Sequence, residues 1–441
     1  MSGSNYQQNN KKNWNHATPW VRLLNNSQGV ANVPIGRHWH TGNICQGYDG
    51  SQYFIIFGGY STNAQTGHSD VWSLGLDMFN IWSEIQHKNS SSARSTARYS
   101  HTAAVLNDRQ LNPDPPGVCN IYVFGGTTRS QTTLRQKDEK QLYQVQFVDL
   151  RTSITQPASV PRWTMYINEI KNHPAFVSDR ASHSVVKIDH RMYIFGGVSG
   201  FMDSVTVHND LWSYSIRTKS WRNEYNKPIQ SVLPSGRFNH GAVLYKASSN
   251  SNSKHSSRDM YQNTVHMIIY GGQGLSSYTY SMQSDVWSVM LIGADGKEVD
   301  SIEWKQLLQP KDSIKRTDGV MIMWNSYVIY FAGMELTSSA SFVYRDIFRT
   351  NVQNLIEADV GAKFEARPNE CLQYPRKDYK VKCVDRQWAR TFDEEAAKLE
   401  RNEGYVLQVP KVRFGAAYAK VGNDKLIVHG GRFHYELDDT W

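Results

Sequence analysis

A short apolar run that ends in a glycine pair recurs along the whole chain, and this repeat limits the possible folds more than any other feature. Every copy keeps both glycines except the fifth, which has Ala332 in the first place; the pairs lie at 58–59, 125–126, 196–197, 271–272, 332–333 and 430–431. Runs this short, rich in β-branched and aromatic residues and bounded by glycine, are typical of buried strands. Six copies in phase therefore predict a repeat architecture built from sheets.

Three further sequence features recur in phase with the glycine pairs. An arginine begins a segment ahead of each apolar run, at 37–40, 98–101, 180–183, 237–240, 316–319 and 413–416. Asp-x-Trp or a variant follows each pair, beginning at Asp70, Gln141, Asp210, Asp285, Asp346 and Asp439. A second tryptophan closes five units, at Trp82, Trp163, Trp221, Trp304 and Trp388. Faces alternate along the Asp-x-Trp segments, so each unit is predicted to be a four-stranded antiparallel sheet.

Together these marks resemble the kelch β-propeller family, within the galactose oxidase central-domain-like superfamily, over residues 14–441. The resemblance implies an all-β, six-bladed kelch β-propeller with four antiparallel strands per blade. The predicted blades are approximately 37–88, 98–167, 180–226, 237–309, 316–390 and 413–441. Residues 18–23 are predicted to supply the outer strand that closes the sixth blade, and residues 1–13 a flexible N-terminal tail. Because the sixth unit stops inside its third strand at Trp441, we expect the natural protein to continue.

One short helix is predicted at 391–401, in an insert between blades five and six, because Thr391 and Glu394 form a capping box. Cys45 and Cys119 fall in or beside predicted strands, and we expect them to be buried free thiols. Cys371 and Cys383 are twelve residues apart and could form a small disulfide loop in an oxidising compartment.

The recurring arginines are the main candidates for a binding site: Arg37, Arg98, Arg180, Arg237, Arg316 and Arg413. In the BTB-kelch ubiquitin-ligase adaptors that the chain resembles, arginines at comparable positions help to hold acidic peptides. A guanidinium binds carboxylate or phosphate with two parallel hydrogen bonds, so a ring of arginines at the channel mouth predicts an acidic or phosphorylated partner. The alternative is that the arginines and the histidines of these segments brace neighbouring blades. We predict no metal site and no cofactor.

Composition narrows the functional classes. Lysine and arginine number 48 and acidic residues 40, which gives a net charge of +8, and aromatic residues make up 12%. The chain has no stretch that would insert into a membrane, no signal peptide and no catalytic motif, so we expect a cytoplasmic protein that is not an enzyme. A secreted location is the alternative. The predicted function is a protein-interaction scaffold or adaptor, with nucleic acid an unlikely partner; the alternative is a sugar-binding or carbohydrate-active propeller, similar to sialic acid mutarotases, with its site in the central channel.

Overall fold

The fold is described from a computed structural model of the chain. It covers residues 23, 33–76, 81–87, 97–107, 114–129, 136–138, 141–149, 163–170, 177–200, 204–224, 233–246, 265–276, 279–292, 301–307, 315–337, 341–343, 347–357, 389–391, 413–422, 425–432 and 436–441. These residues form almost only strands and turns, with a single helix among them.

The first three blades follow one another along the chain, and each is a sheet whose four main strands pair antiparallel in chain order. Blade one has β1 (Thr41–Gln46), β2 (Gln52–Phe57), the hairpin β3 (Tyr60–Ser61) and β4 (Thr66–Gly67), then β5 (Val71–Gly75) and β6 (Trp82–Glu84). The short β7 (Gln86–His87) follows and joins the edge of the sheet of blade two. Blade two has β8 (Arg98–Tyr99), β9 (Thr102–Val105), β10 (Val118–Phe124), the hairpin β11 (Thr127–Arg129) and β12 (Gln136–Asp138), then β13 (Leu142–Asp149) and β14 (Trp163–Ile170). Blade three has β15 (Ser184–Ile188), β16 (Arg191–Phe195), the hairpin β17 (Val198–Ser199) and β18 (Thr206–Val207), then β19 (Leu211–Ser215) and β20 (Ser220–Asn223).

Two more blades repeat this arrangement. Blade four has β21 (Gly241–Lys246), β22 (Val265–Tyr270), the hairpin β23 (Gln273–Ser276) and β24 (Thr279–Met282), then β25 (Val286–Ile292) and β26 (Ser301–Leu307). Blade five has β27 (Val320–Trp324), β28 (Tyr327–Phe331), the hairpin β29 (Met334–Leu336) and β30 (Ser341–Val343), then β31 (Ile347–Asn351), the helix α1 (Val352–Glu357) and β32 (Ala389–Thr391). In each blade the hairpin follows the glycine pair.

The sixth sheet is smaller than expected. It has two strands, β33 (Ala417–Val421) and β34 (Lys425–His429), and β33 lies against β1 of blade one and β27 of blade five. Among the described residues, a single bridge between His429 and Thr440 extends this sheet, and Leu23 donates its backbone N–H to the Thr440 carbonyl at 2.9 Å. The all-β propeller is therefore confirmed with five four-stranded blades. A sixth four-stranded blade is not formed by the described residues, because the segments beside β34 are too short to count as strands.

Backbone hydrogen bonds between sheets explain the glycine pairs. The second residue of each pair donates its N–H to the carbonyl of the repeat arginine in the next sheet, at 2.8–3.0 Å, and the bond from Gly431 to Arg37 closes the ring. At Gly126 the backbone has φ +88°, and a Cβ would stand 2.7 Å from the His101 Cβ and 2.8 Å from the Tyr99 carbonyl oxygen. Only glycine allows this approach.

The hydrophobic core lies between sheets, because alternate residues of a strand face opposite neighbours. In β22, Met267 and Ile269 pack against blade three, whereas Ile268 and Tyr270 pack against blade five. Six such clusters lie between successive sheets around the ring, the last between the sixth sheet and blade one. Four closing tryptophans belong to them, namely Trp82, Trp163, Trp221 and Trp304, whereas Trp388 lies outside the described residues. Trp304, 5% exposed, packs with residues of blade three.

The structure differs from the sequence-based predictions for the cysteines and for the helix. Cys45 and Cys119, expected as free thiols, form a disulfide with their Cα atoms 5.7 Å apart, because the end of β1 lies beside the start of β10 in the next blade. Cys371 and Cys383 lie outside the described residues. The helix predicted at 391–401 has its first residue in β32 and the rest outside the described residues, whereas α1 was not predicted. In the part of the chain that the structure describes, no helix has the length and apolarity to span a membrane.

Candidate functional site

All six repeat arginines are buried, with 0% of each residue exposed: Arg37, Arg98, Arg180, Arg237, Arg316 and Arg413. Each lies at the start of its blade, and its side chain points into that blade and away from the channel. Its Nη1 donates to the backbone carbonyl of the first residue of that blade's glycine pair, at 2.8–3.2 Å. The guanidinium therefore links the start of the first main strand to the end of the second.

In four sheets a carboxylate completes this arrangement. Arg237 donates to both oxygens of Asp285, at 2.7 and 2.8 Å, and the Nε1 of Trp287 donates to the same carboxylate at 2.6 Å. Burial alone would raise the pKa of Asp285, but the hydrogen bonds and charge of Arg237 lower it below its ordinary value. The same geometry recurs at Arg37–Asp70–Trp72, Arg180–Asp210–Trp212 and Arg413–Asp439–Trp441.

Arg98 and Arg316 occupy the equivalent positions in blades two and five. Blade two has Gln141 where the aspartate would stand, and there the Arg98 guanidinium lies 4.7 Å from the centre of the Tyr143 ring. Asp346, the aspartate of blade five, lies outside the described residues.

The structure thus brings the six arginines into one ring, but the ring lies inside the blades, and none of its members lines the channel. A fully buried guanidinium bonded to its own blade stabilises the fold. This placement does not support the predicted contact between the six arginines and a partner, and that role stays a prediction.

The channel mouth is formed by the third residue of each arginine segment. These six residues have φ between 54° and 63°: Trp39, Ser100, Ser182, Asn239, Asp318 and Gly415. Each donates its backbone N–H to the carbonyl of the corresponding residue in the preceding sheet, at 2.8–3.0 Å, so the six bonds form a closed circle. We call this circle the mouth ring. Its side chains differ from blade to blade, so no shared residue type identifies the ring in the sequence.

Below the mouth ring, four histidines line the channel: His40, His101, His183 and His240. The Nε2 of His101 lies 3.1 Å from the Thr41 hydroxyl, and that of His240 lies 2.7 Å from the Ser184 hydroxyl, each in the preceding blade. Burial lowers the pKa of His240 to about 3, with a smaller contribution from the charge of Arg237. The imidazoles are therefore neutral, and those of His101, His183 and His240 brace neighbouring blades.

Among the described residues that line this channel, one carries a carboxyl group. Asp318 accepts hydrogen bonds from the Trp39 Nε1 and the Asn239 Nδ2, both at 3.0 Å. Burial raises the pKa of Asp318 to about 7, against the opposing effect of hydrogen bonds from Trp39, Thr317 and Asn239. The cavity around it has a volume of about 290 Å³. None of the described residues lining it is a lysine or an arginine, and no described cluster of three His, Cys, Asp or Glu side chains could hold a metal ion.

Comparison with known proteins agrees with this architecture. A family profile described as the KLHDC2/KLHL20/DRC7 Kelch-repeats domain matches residues 40–251. The chain is 28% identical over 224 residues to the Leucine-zipper-like transcriptional regulator 1 homolog of Drosophila melanogaster. This alignment covers 48% of this chain and 18% of the Drosophila protein. It is 23% identical over 202 residues to the human Leucine-zipper-like transcriptional regulator 1. This alignment covers 43% of this chain and 18% of the human protein. The matched region thus spans less than a fifth of these relatives.

A solved structure shows the same fold over almost the whole chain. The "Structure of YjhT" matches with a TM-score of 0.55 and 12% sequence identity, covering 93% of this chain and 95% of that one. At this identity the likeness concerns the fold alone.

The buried ion pairs should dominate stability. Asp439 is the most buried of the four carboxylates, with 7% of its side chain exposed. In Asp439→Ala the buried Arg413 loses its carboxylate, so we expect urea unfolding to show a loss of about 3–5 kcal/mol. The adjacent Asp438 is exposed, and Asp438→Ala should change the free energy of unfolding by about 0.5 kcal/mol or less. Equal losses in the two variants would contradict a structural role for the pair.

The histidines should make the fold acid-sensitive. Burial, followed by the charge of Arg98, lowers the pKa of His101 from 6.5 to about 3, so the folded state stays neutral where the unfolded chain takes up a proton. Stability is therefore complete above pH 6.5 and falls below it, by about 1.4 kcal/mol per pH unit for each such histidine. The raised pKa of Asp318 has the opposite effect, because the folded state takes up this proton first and gains stability as the pH falls, but it concerns a single group. Urea unfolding at pH 7, 6 and 5 should show a smaller loss in His101→Gln than in the wild type; parallel losses would refute the argument.

Proposed function

This chain belongs to the kelch-repeat β-propellers, and we propose that it acts as a protein-interaction module whose binding surface is the face that carries the mouth ring. On this face the hairpins that follow the glycine pairs surround the channel, since each pairs with the second residue of an arginine segment, as Phe238 does with Gln273. We call it the mouth face. The similarity to the Leucine-zipper-like transcriptional regulators supports a role in interaction.

Exposed apolar side chains on the mouth face carry the proposal. Ile35, two residues before Arg37, is 66% exposed, and Tyr280 of β24 is 54% exposed. Tyr280 packs edge-on against Phe238 of the blade-four arginine segment, with ring centres 5.7 Å apart, so it stands beside the channel. Large apolar groups that remain exposed around a central opening are typical of an interaction surface.

The acidic or phosphorylated partner stays a prediction. It was argued from the arginine ring and from the net charge of +8. Because the ring is buried, the charge alone now supports it, through long-range attraction of an acidic partner rather than through paired guanidinium contacts.

A carbohydrate site in the channel would be favoured by arginine, histidine and a carboxylate that line it together. The described lining has the histidines and Asp318 but not the arginines, which point into the blades. We therefore place the interaction role first, and this role needs no catalytic group.

We further propose that the sixth sheet becomes a complete sixth blade, closed by residues 18–23. Leu23 bonds to Thr440 and packs into the cluster that contains Phe54 and Ile427, at the position of an outer strand. Such closure covers the sheet edge that would otherwise be open.

The compartment is a separate part of the proposal. Disulfides persist in oxidising compartments, so the bond between Cys45 and Cys119 supports the secreted alternative rather than the cytoplasmic prediction.

The proposed surface can be tested with two isoleucines on opposite faces of blade one. Ile35 lies on the mouth face, whereas Ile81 precedes β6 at the far end of the blade and is 59% exposed. In affinity purification with mass spectrometry, Ile35→Asp combined with Tyr280→Asp should lose at least 90% of the partners bound by the wild type, because a carboxylate replaces an apolar contact (about tenfold in affinity per 1.4 kcal/mol).

The matched control is Ile81→Asp, which should keep those partners. Melting temperatures of all variants should stay equal, because each residue is exposed. Partners lost equally in both variants, or in neither, would refute the mouth face as the binding surface.

The closure proposal predicts that deletion of residues 1–24 destabilises the chain. The deletion removes the proposed closing strand with Trp20, and a tryptophan that closure buries would cost about 3–5 kcal/mol when lost. Thermal unfolding and limited proteolysis measure the effect, and deletion of residues 1–13 is the control. Unchanged stability in the longer deletion would exclude closure by this segment.

A further inference from the structure

One side-chain hydrogen bond crosses the channel mouth at the sixth sheet. The Trp39 Nε1, in the arginine segment of blade one, donates to the Asp318 Oδ1 of blade five at 3.0 Å, although the two residues are 279 apart in sequence. The indole can span this distance because Gly415, the mouth-ring residue between them, has no side chain: a Cβ there would stand 2.8 Å from the Trp39 ring. Trp39 and Asp318 are half-buried and line the cavity. The indole therefore covers this side of the mouth.

The strength of this bond depends on whether Asp318 is ionised. Its second oxygen accepts a bond from the Asn239 Nδ2 of blade four at 3.0 Å and lies 3.4 Å from the Thr317 hydroxyl. A carboxylate is an acceptor only, and an indole N–H is a donor only. A proton on Asp318 turns one acceptor position into a donor and removes the charge that makes such bonds about twice as strong as neutral ones. The bond to Trp39 is thus strong with the ionised group and weak with the neutral one.

No charged side chain among the described residues fixes Asp318 in one state. The arginines that begin the neighbouring segments turn into their blades. Of the titratable groups in the segments around it, His40 of blade one and His240 of blade four are neutral, and Tyr330 of β28 keeps its proton because burial raises its pKa. Without a cation beside it, Asp318 has its pKa raised by burial to about 7, so it gains and loses its proton near neutral pH.

We propose that Asp318 is a proton-operated latch of the channel mouth, which holds the Trp39 indole across the opening when its carboxyl group is ionised and loosens it when the group is protonated. Stacking on Tyr99, with ring centres 6.0 Å apart, keeps the indole beside the mouth in both states. The latch stands on the channel geometry alone. Its effect on a partner rests on the proposed function: because Trp39 belongs to the mouth face, partner binding there would depend on pH.

The test is nuclear magnetic resonance of the full chain with isotope-labelled tryptophan, in which Trp39→Phe identifies the signal of the Trp39 indole. Between about pH 6 and about pH 8.5 this signal should shift in the wild type with one midpoint near pH 7. Asp318→Asn keeps the shape of the side chain but does not titrate. In this variant the shift should disappear, and the indole signal should resemble that of the wild type at the lower pH.

Trp39→Phe gives a second reading that does not depend on the folding of Asp318→Asn. Loss of the indole bond disfavours the carboxylate, so the midpoint read from the side-chain amide of Asn239 should lie at higher pH than in the wild type. The control is Ser182→Ala, which alters the mouth ring at a residue that makes no bond to Asp318 and should leave the Trp39 midpoint unchanged.

A Trp39 signal that stays constant over this pH range, or that titrates equally in Asp318→Asn, would overturn the latch. An Asn239 midpoint that does not rise in Trp39→Phe would do the same. These readings need no partner, whereas the mouth face as a binding surface is tested by Ile35→Asp with Tyr280→Asp. Failure of the latch and failure of the proposed function are therefore distinguishable.

Discussion

The buried contact between arginine, aspartate and a glycine carbonyl is the interaction on which the rest of this structure depends. In blade four, Arg237 joins three strands of its sheet: it begins the first, bonds to Gly271 at the end of the second, and pairs with Asp285 at the start of the third. Its backbone carbonyl also accepts the N–H of Gly197 in the preceding blade. One residue thus fixes the geometry within a blade and between blades. Burying both charges is costly, and the bidentate hydrogen bonds with the indole N–H of Trp287 offset that cost.

This contact also determines the character of the channel. Because the arginine side chain turns into the blade, the residue two positions later takes a left-handed conformation, and its backbone bonds to the next sheet. The side chains of that residue and of the one after it then face the axis. Since the repeat arginines lie inside the blades and the histidines are neutral, Asp318, the one carboxyl group in the described lining, has the strongest influence on the charge of the channel.

The sequence predicted the repeated elements well, because each mark has a local physical cause. Gly126 is required by the approach of His101, and Trp304 fills the space between two blades, so residue type and spacing identified both. No residue type or spacing in the sequence indicates the direction in which a side chain points. The spacing of Arg98 and Arg180 showed that they recur around the axis, but whether they face the channel or the blade depends on the backbone conformation at the corner. The disulfide between Cys45 and Cys119 was missed for a similar reason, since it depends on two blades meeting across 74 residues of sequence.

The channel lining differs from blade to blade where the repeat departs from its own pattern. A strict repeat would give six equivalent walls, each histidine satisfied by the hydroxyl of the blade before it. Here Asp318 replaces a small polar residue in blade five, and Ala417 replaces the hydroxyl that His40 would need. Neither change weakens the arginine contacts, because those lie on the other side of the backbone. The repeated residues therefore specify the ring, while the residues between them, which make none of these arginine contacts, make one part of the channel lining different from another.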